Sequence, residues 1–221
     1  FSTACGVIDV YNDTPPCYAP SNYDDKFRGP MTFTTALAQS INVPAVKTLY
    51  LAGIQNVLNL ATGMGITTLG SPEQYGLSFA LGAAEVRLLD LTSAYGVFAN
   101  DGVRNAPTGI LSVTDNTGKL LEEYKANPEQ VLDVGVARSM DAMLSNNEAR
   151  FPEYQPNNPL HFDGYDVAAK TGTTNDYRDV WTIGFSPNIV VGTWAGNNDN
   201  RPMVKEIAGY AKTTKEVKTI L

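Results

Sequence analysis

The sequence is poor in the residues from which many reactive sites are built. It has one histidine, His161, and two cysteines, Cys5 and Cys17, in 221 residues. A single imidazole excludes multi-histidine metal sites, and two thiols cannot complete a four-cysteine zinc site, so no metal or other cofactor is expected. Positive charge is also scarce. Sixteen Lys and Arg stand against 23 Asp and Glu, a net charge of -7, without a basic cluster. Nothing here would release counterions from a phosphate backbone, which excludes nucleic acid as a partner. No apolar run approaches the roughly 18 residues that cross a bilayer. The first residues lack the basic-then-apolar pattern of a signal peptide. Two glycine-rich loops also fail as phosphate cradles: Thr68 stands where a third glycine should follow Gly63-Met64-Gly65, and Gly70 precedes Ser71 rather than lysine. What remains is an ordinary globular composition, 43% hydrophobic and 18% charged. A chain of this length hides roughly 70% of its unfolded surface and needs no staple to fold. Cys5 and Cys17 are near enough in sequence to bridge in an oxidising compartment, and two free thiols fit the count equally well.

Periodicity divides the chain into helical and strand-like stretches without a domain boundary or repeat. Residues 1–31, rich in Pro, Asn, Asp and Tyr, read as ordered loop. Thr32 or Thr34 is placed to cap a helix through Ala36-Leu37-Ala38, and Pro44 to open another that ends near Gly53. Ser40-Ile41-Asn42 falls between them. Helices follow over 54–64 and 86–100, the latter with Leu88, Leu91, Tyr95 and Phe98 on one expected core face. Asp115-Asn116-Thr117-Gly118 predicts a hairpin turn between 110–114 and 119–124, and a helix is expected over 129–144 behind Pro128. Residues 145–165 read as loop. Strand period then sets in over 166–171, 180–185 and 189–194, with short connections that favour antiparallel neighbours.

Few residues suit chemistry. Lys170-Thr171-Gly172-Thr173 ends a predicted strand: the lysine supplies charge, the hydroxyls can bind a carboxylate, and the glycine lets a substrate lie against the strand edge. The same four residues also describe a plain strand end with an exposed lysine. Ser-x-Asn occurs at Ser40, Ser145 and Ser186. A serine in such a motif can relay a proton and the asparagine can hold a substrate amide. His161 has no Gly-x-Ser-x-Gly partner, so it reads as a surface or packing histidine. Asp176, Arg178, Asp179 and Trp181 read as a charged turn with a local surface ion pair.

Taken together, the segments resemble the transpeptidase domain of class A penicillin-binding proteins. The resemblance runs through Tyr18-Ala19-Pro20-Ser21-Asn22-Tyr23-Asp24, then residues 35–46 around Ser40-Ile41-Asn42, then Leu81-Gly82-Ala83-Ala84-Glu85-Val86 and residues 94–102. It continues in Ala169-Lys170-Thr171-Gly172-Thr173-Thr174-Asn175, Asp179-Val180-Trp181 and Trp194-Ala195-Gly196-Asn197-Asn198-Asp199. It spans about 18–210 in family order and selects Ser40 over Ser145 and Ser186.

The resemblance implies an α+β fold, an antiparallel sheet flanked by helices as in serine β-lactamases. It implies a D,D-transpeptidase that cross-links peptidoglycan stem peptides through an acyl-serine and binds β-lactams. Ser40, Asn42 and Lys170 take catalytic roles and Thr171, Gly172 and Thr173 bind substrate. Of the family's three motifs, Ser-x-Asn and Lys-Thr-Gly are present, but none of the ten serines has a lysine three residues later. Residues 1–221 are therefore expected to form a partial domain, silent alone, with the acylated serine upstream of Phe1. After Tyr210 the chain also departs from the family's closing segment. A parent protein with an upstream glycosyltransferase domain and a membrane anchor, at the extracytoplasmic face of a bacterial membrane, is compatible with this. The competing readings are a D,D-carboxypeptidase or β-lactamase relative and a noncatalytic penicillin-sensing or wall-binding module.

Overall fold

The computed structural model describes residues 17–174 and 177–203. The expectations for 1–16, Asp176 and the departure after Tyr210 lie outside these residues, as does Cys5; Cys17 is disulfide-bonded. The element order is α1 (Phe33–Ala38), α2 (Asn42–Ala52), α3 (Ile54–Gly63), two short 3-10 turns, α4 (Leu88–Ala99), β1 (Val103–Arg104), β2 (Ser112–Thr114), β3 (Leu120–Glu123), β4 (Glu129–Gln130), α5 (Val134–Ser145), β5 (Ala168–Thr173), β6 (Asp179–Ser186) and β7 (Ile189–Gly196).

β5, β6 and β7 form an antiparallel sheet in that order, with Lys170 opposite Ile183 and Gly172 opposite Trp181. Helices α4 and α5 pack on it, and α1 packs on α5. Strand alternation divides β5 between two surroundings. Ala168 joins Leu144 and Phe185 in a core completed by Leu37, Tyr95, Phe98 and Met140, whereas Ala169 joins Tyr154 and Leu160. The rings of Tyr95 and Phe98 lie 6.1 and 6.4 Å from that of Phe185, a spacing favourable for aromatic contact. Gly192 allows α4 this close: a Cβ there would fall 2.0 Å from Thr92 Oγ1.

The expected helices, hairpin and three-stranded sheet form, with local corrections. Thr32, rather than Thr34, caps α1 by accepting from Thr35 N at 3.1 Å. Helix α2 begins at Asn42, so Asn42 belongs to its first turn instead of the junction. Pro44 is tolerated there because amides in the first turn have no intrahelical acceptor. The helix expected over 129–144 is shorter: Glu129 and Gln130 pair with Arg104 and Val103, and α5 starts after Asp133, whose carboxylate accepts from Gly135 N and Val136 N. Tertiary pairing and a stronger cap outweigh the proline signal. The expected stripe of α4 meets the sheet through Tyr95 and Phe98, but its first residue, Leu88, is 39% exposed; Ala94 and Val97 are buried in a separate cluster with Met64. The first strand of the sheet starts at Ala168 rather than residue 166. No described helix is long and apolar enough to cross a membrane.

Candidate active site

Ser40 lies at the reversal between α1 and α2. Its amide donates to Leu37 O and that of Ile41 donates to Ala36 O, at 3.1 and 2.9 Å. This is the double-bonded helix ending that usually carries glycine, because the residue after the cap must be left-handed. Ser40 has φ +57°. An L-residue there costs roughly 1–2 kcal/mol.

Lys170, on β5, donates from Nζ to Ser40 Oγ across 130 residues of sequence and to Thr171 O at 2.7 Å. The lysine is half-buried, which corrects the alternative of an exposed strand-end residue. Burial pushes its ammonium down to about 8, and the Arg150 guanidinium nearby adds to the effect. An ammonium only donates, so Ser40 Oγ accepts and its own proton stays available to a third group.

Asn42 stands two residues on, at the first turn of α2, where Nδ2 donates to Ser21 O at 3.1 Å. Its Oδ1 is the atom that can accept a substrate N–H. Buried Asn22 braces this corner: Oδ1 accepts from Val43 N at 3.0 Å and Nδ2 donates to Lys26 O at 2.6 Å.

Thr171 faces the other way from Lys170, and its hydroxyl lies 2.7 Å from the Tyr154 hydroxyl. Gly172 and Thr173 end β5, which pairs with β6 alone among the described residues and so presents an edge. A Cβ on Gly172 would meet only Trp181 Cβ, at 3.7 Å, an ordinary contact. Nothing among the described residues requires glycine there, and a missing side chain leaves room for approach from outside.

Thus Ser40 and Lys170 are in direct contact, Asn42 adjoins Ser40 in sequence, and Thr171 to Thr173 occupy the adjacent strand edge. His161 pairs with exposed Asp163 at 2.9 Å, in keeping with a surface role. Asp179 does not fit the expected surface ion pair: its carboxylate accepts from Trp194 Nε1 at 2.9 Å and Thr174 Oγ1 at 3.1 Å, bracing the turn from within. Sequence reasoning missed Gln39, Arg150 and Tyr154. Gln39 adjoins a motif already singled out, whereas Arg150 and Tyr154 lie in a proline-rich loop without a period to mark them. Among the described residues no group of three His, Cys, Asp or Glu could hold a metal ion.

The chain is similar to known proteins over most of its length. The penicillin binding protein transpeptidase domain family matches residues 7–217. Penicillin-binding protein 1A of Aquifex aeolicus is 39% identical over 192 residues, covering 87% of this chain and 25% of the relative. Penicillin-binding protein 2D of Bacillus subtilis is 34% identical, over 93% of this chain and 30% of the relative. The chain therefore spans about a quarter to a third of these relatives. Among solved structures, penicillin-binding protein 1A of Haemophilus influenzae superposes with a TM-score of 0.74 at 25% identity, over 95% of this chain and 37% of that one. PonA1 of Mycobacterium tuberculosis in complex with penicillin V shares the fold, with a TM-score of 0.74 at 22% identity over 90% of this chain and 58% of that one.

Proposed function

Because the chain belongs to the penicillin-binding protein transpeptidase family, we propose that it supplies the proton-handling and substrate-binding half of a D,D-transpeptidase site. The contact between Lys170 Nζ and Ser40 Oγ carries this reading. In the reaction, a serine hydroxyl attacks the D-Ala-D-Ala carbonyl of a donor stem peptide. The C–N bond breaks, the terminal D-Ala leaves with a proton, and an amine on a neighbouring peptide then takes the acyl group and releases the serine. Splitting the exchange this way replaces one difficult step by two easier ones.

Ser40 delivers the proton to the leaving nitrogen, since its oxygen is already occupied by the Lys170 donor. Lys170 holds positive charge beside the reacting centre. Asn42 Oδ1 accepts from the donor's amide. The Thr171 and Thr173 hydroxyls bind the terminal carboxylate, Gly172 leaves room for the peptide along the β5 edge, and the Thr173 N–H supports the developing oxyanion. Loss of one such donor typically raises a barrier by roughly 3 kcal/mol. β-Lactams would acylate the same serine. A parent with a membrane anchor, at the extracytoplasmic face where peptidoglycan lies, is part of the same proposal.

The acylated serine is not identified within the 221 residues, because none of the ten serines precedes lysine by three positions. That observation also favours a second reading for these residues alone, a noncatalytic wall-binding or penicillin-sensing module. Intact mass after exposure to a fluorescent penicillin separates the two. The protein carrying this chain together with a Ser-x-x-Lys segment is expected to gain one covalent adduct, and the 221 residues alone none. Absence of an adduct from both overturns the transpeptidase reading. Release of the acyl group to water rather than an amine would instead identify a carboxypeptidase or β-lactamase relative.

A further inference from the structure

We infer that Gln39 is a positioning residue: its buried side-chain amide, fastened to the 149–151 segment, holds the reversal that carries left-handed Ser40 in the place where its hydroxyl meets Lys170. The inference rests on the role given to Ser40 above. A left-handed serine persists only where its surroundings over-determine it, and Ser40 is exposed, so its own packing does not. The two amide bonds of the reversal fix the backbone locally. They do not fix where the reversal sits relative to β5, and this second requirement falls to Gln39.

Gln39 is 8% exposed and is the last residue before Ser40. Its Nε2 donates to Ala149 O at 3.1 Å and to Phe151 O at 2.7 Å. Both amide protons are spent on the two carbonyls that flank Arg150. That arginine is 2% exposed and donates to Leu160 O at 3.2 Å and to Leu144 O. It thereby locks the segment to the end of α5 and to the far part of the loop. Helix α5 packs against both α1 and β5. One rigid segment therefore fixes the end of α1 through Gln39, and its charge reaches Lys170. Four residues beyond Arg150, Tyr154 touches Thr171, the neighbour of Lys170. The other neighbour of Ser40, Ile41, is apolar and can make no such bond.

The test uses the protein carrying this chain and its nucleophile segment, with Gln39→Met, which keeps the side-chain length and removes both donors. A crystal structure reads Ser40 directly, whatever the activity. The expected result is the Ser40 hydroxyl out of bonding distance from Lys170. Retention of that contact overturns the inference. The second readout is penicillin acylation in a double-mutant cycle. Gln39→Met is expected to slow acylation about tenfold, the worth of one or two hydrogen bonds, and to have no further effect when Ser40 is already glycine. An equal loss in both backgrounds would mean a merely structural role and overturns the inference. Gln39→Glu guards against misfolding: it preserves shape while setting a carboxylate against two carbonyls, and is expected to reproduce the loss at neutral pH and recover partly as the carboxyl is protonated. If the unmodified protein forms no penicillin adduct, the proposed function fails, and the Ser40 geometry in Gln39→Met still decides this inference.

Discussion

Two reversals of the chain meet the same steric demand with different residues. In the hairpin between β2 and β3, the left-handed position is Gly118, φ +84°, with nothing within 4 Å of where a Cβ would stand. Asp115 completes that turn by accepting from Thr117 N at 2.8 Å and Lys119 N at 3.0 Å. Between α1 and α2 the left-handed position is Ser40, φ +57°. The end of α2 shows what α1 forgoes: there the chain turns through Gly53, φ +80°. Glycine relaxes a reversal and contributes no side chain. A serine in that place keeps the strain and gains a hydroxyl in contact with Lys170. The first kind of turn serves the fold, and the second is maintained against the local preference of the backbone.

The sharpest way to break the contrast is at the partner of the strained residue. Lys170→Met is expected to lower penicillin acylation by roughly a thousandfold, within the range that positioned proton transfer contributes, measured by stopped-flow with a fluorescent penicillin. The same variant is expected to be more stable than the parent at pH 7. Lys170 is charged there while half-buried, with its ammonium lowered to about 8. The unfolded chain keeps the proton up to the ordinary lysine range, so the parent's stability rises with pH from about 8 into that range. The gap between the two proteins in denaturant midpoint should therefore close across that window, and a gap independent of pH would refute the assignment.

Ser40→Gly acts on the reversal itself. Relief of the left-handed strain is expected to stabilise the fold by about 1 kcal/mol, while loss of the hydroxyl slows acylation by about a hundredfold. Gly118→Ala is the mirror experiment. It should destabilise by about 1 kcal/mol and leave acylation unchanged, both read by thermal unfolding beside the kinetic assay. If the two substitutions moved stability in the same direction, the comparison between the turns would collapse. The smallest effect is expected from Asp115→Ala. Hydrogen bonds from Thr117 first, then the Lys119 and Thr117 amides, hold this carboxyl below its ordinary range. The loss of melting temperature on substitution should be present at neutral pH and disappear as acid protonates the carboxyl, with acylation unaffected throughout.

Much of this was legible one segment at a time. Thr32 and Pro44 mark helix boundaries, Asp115 to Gly118 marks a hairpin, and the alternation after residue 166 marks three strands joined by short turns. The misreadings arose where a distant partner outweighed a nearby signal. Glu129 and Gln130 follow a proline that suits a helix start, yet pair with β1. Leu88 belongs to the helical stripe whose Tyr95 and Phe98 reach the core, yet at the start of α4 it lies 39% exposed. Gln39, Arg150 and Tyr154 carried no periodic signal at all, since each acts through hydrogen bonds to partners outside its own element.

The sequence by itself determined the order of the helices and of the three strands of the main sheet, the family motifs and the shortlist of Ser40, Asn42 and Lys170 to Thr173, because caps, turns and periodicity are interactions among residues a few positions apart. It also supplied the Ser-x-Asn pattern three times without a physical reason to prefer one; only likeness to relatives singled out Ser40. The tertiary structure decided that Lys170 reaches Ser40 across 130 residues, and that Gln39 ties this reversal to a loop more than 100 positions away. Such contacts exist only after α1, α5 and β5 have packed, since it is burial of their apolar faces that brings these polar groups within bonding distance and lowers the affinity of Lys170 for its proton.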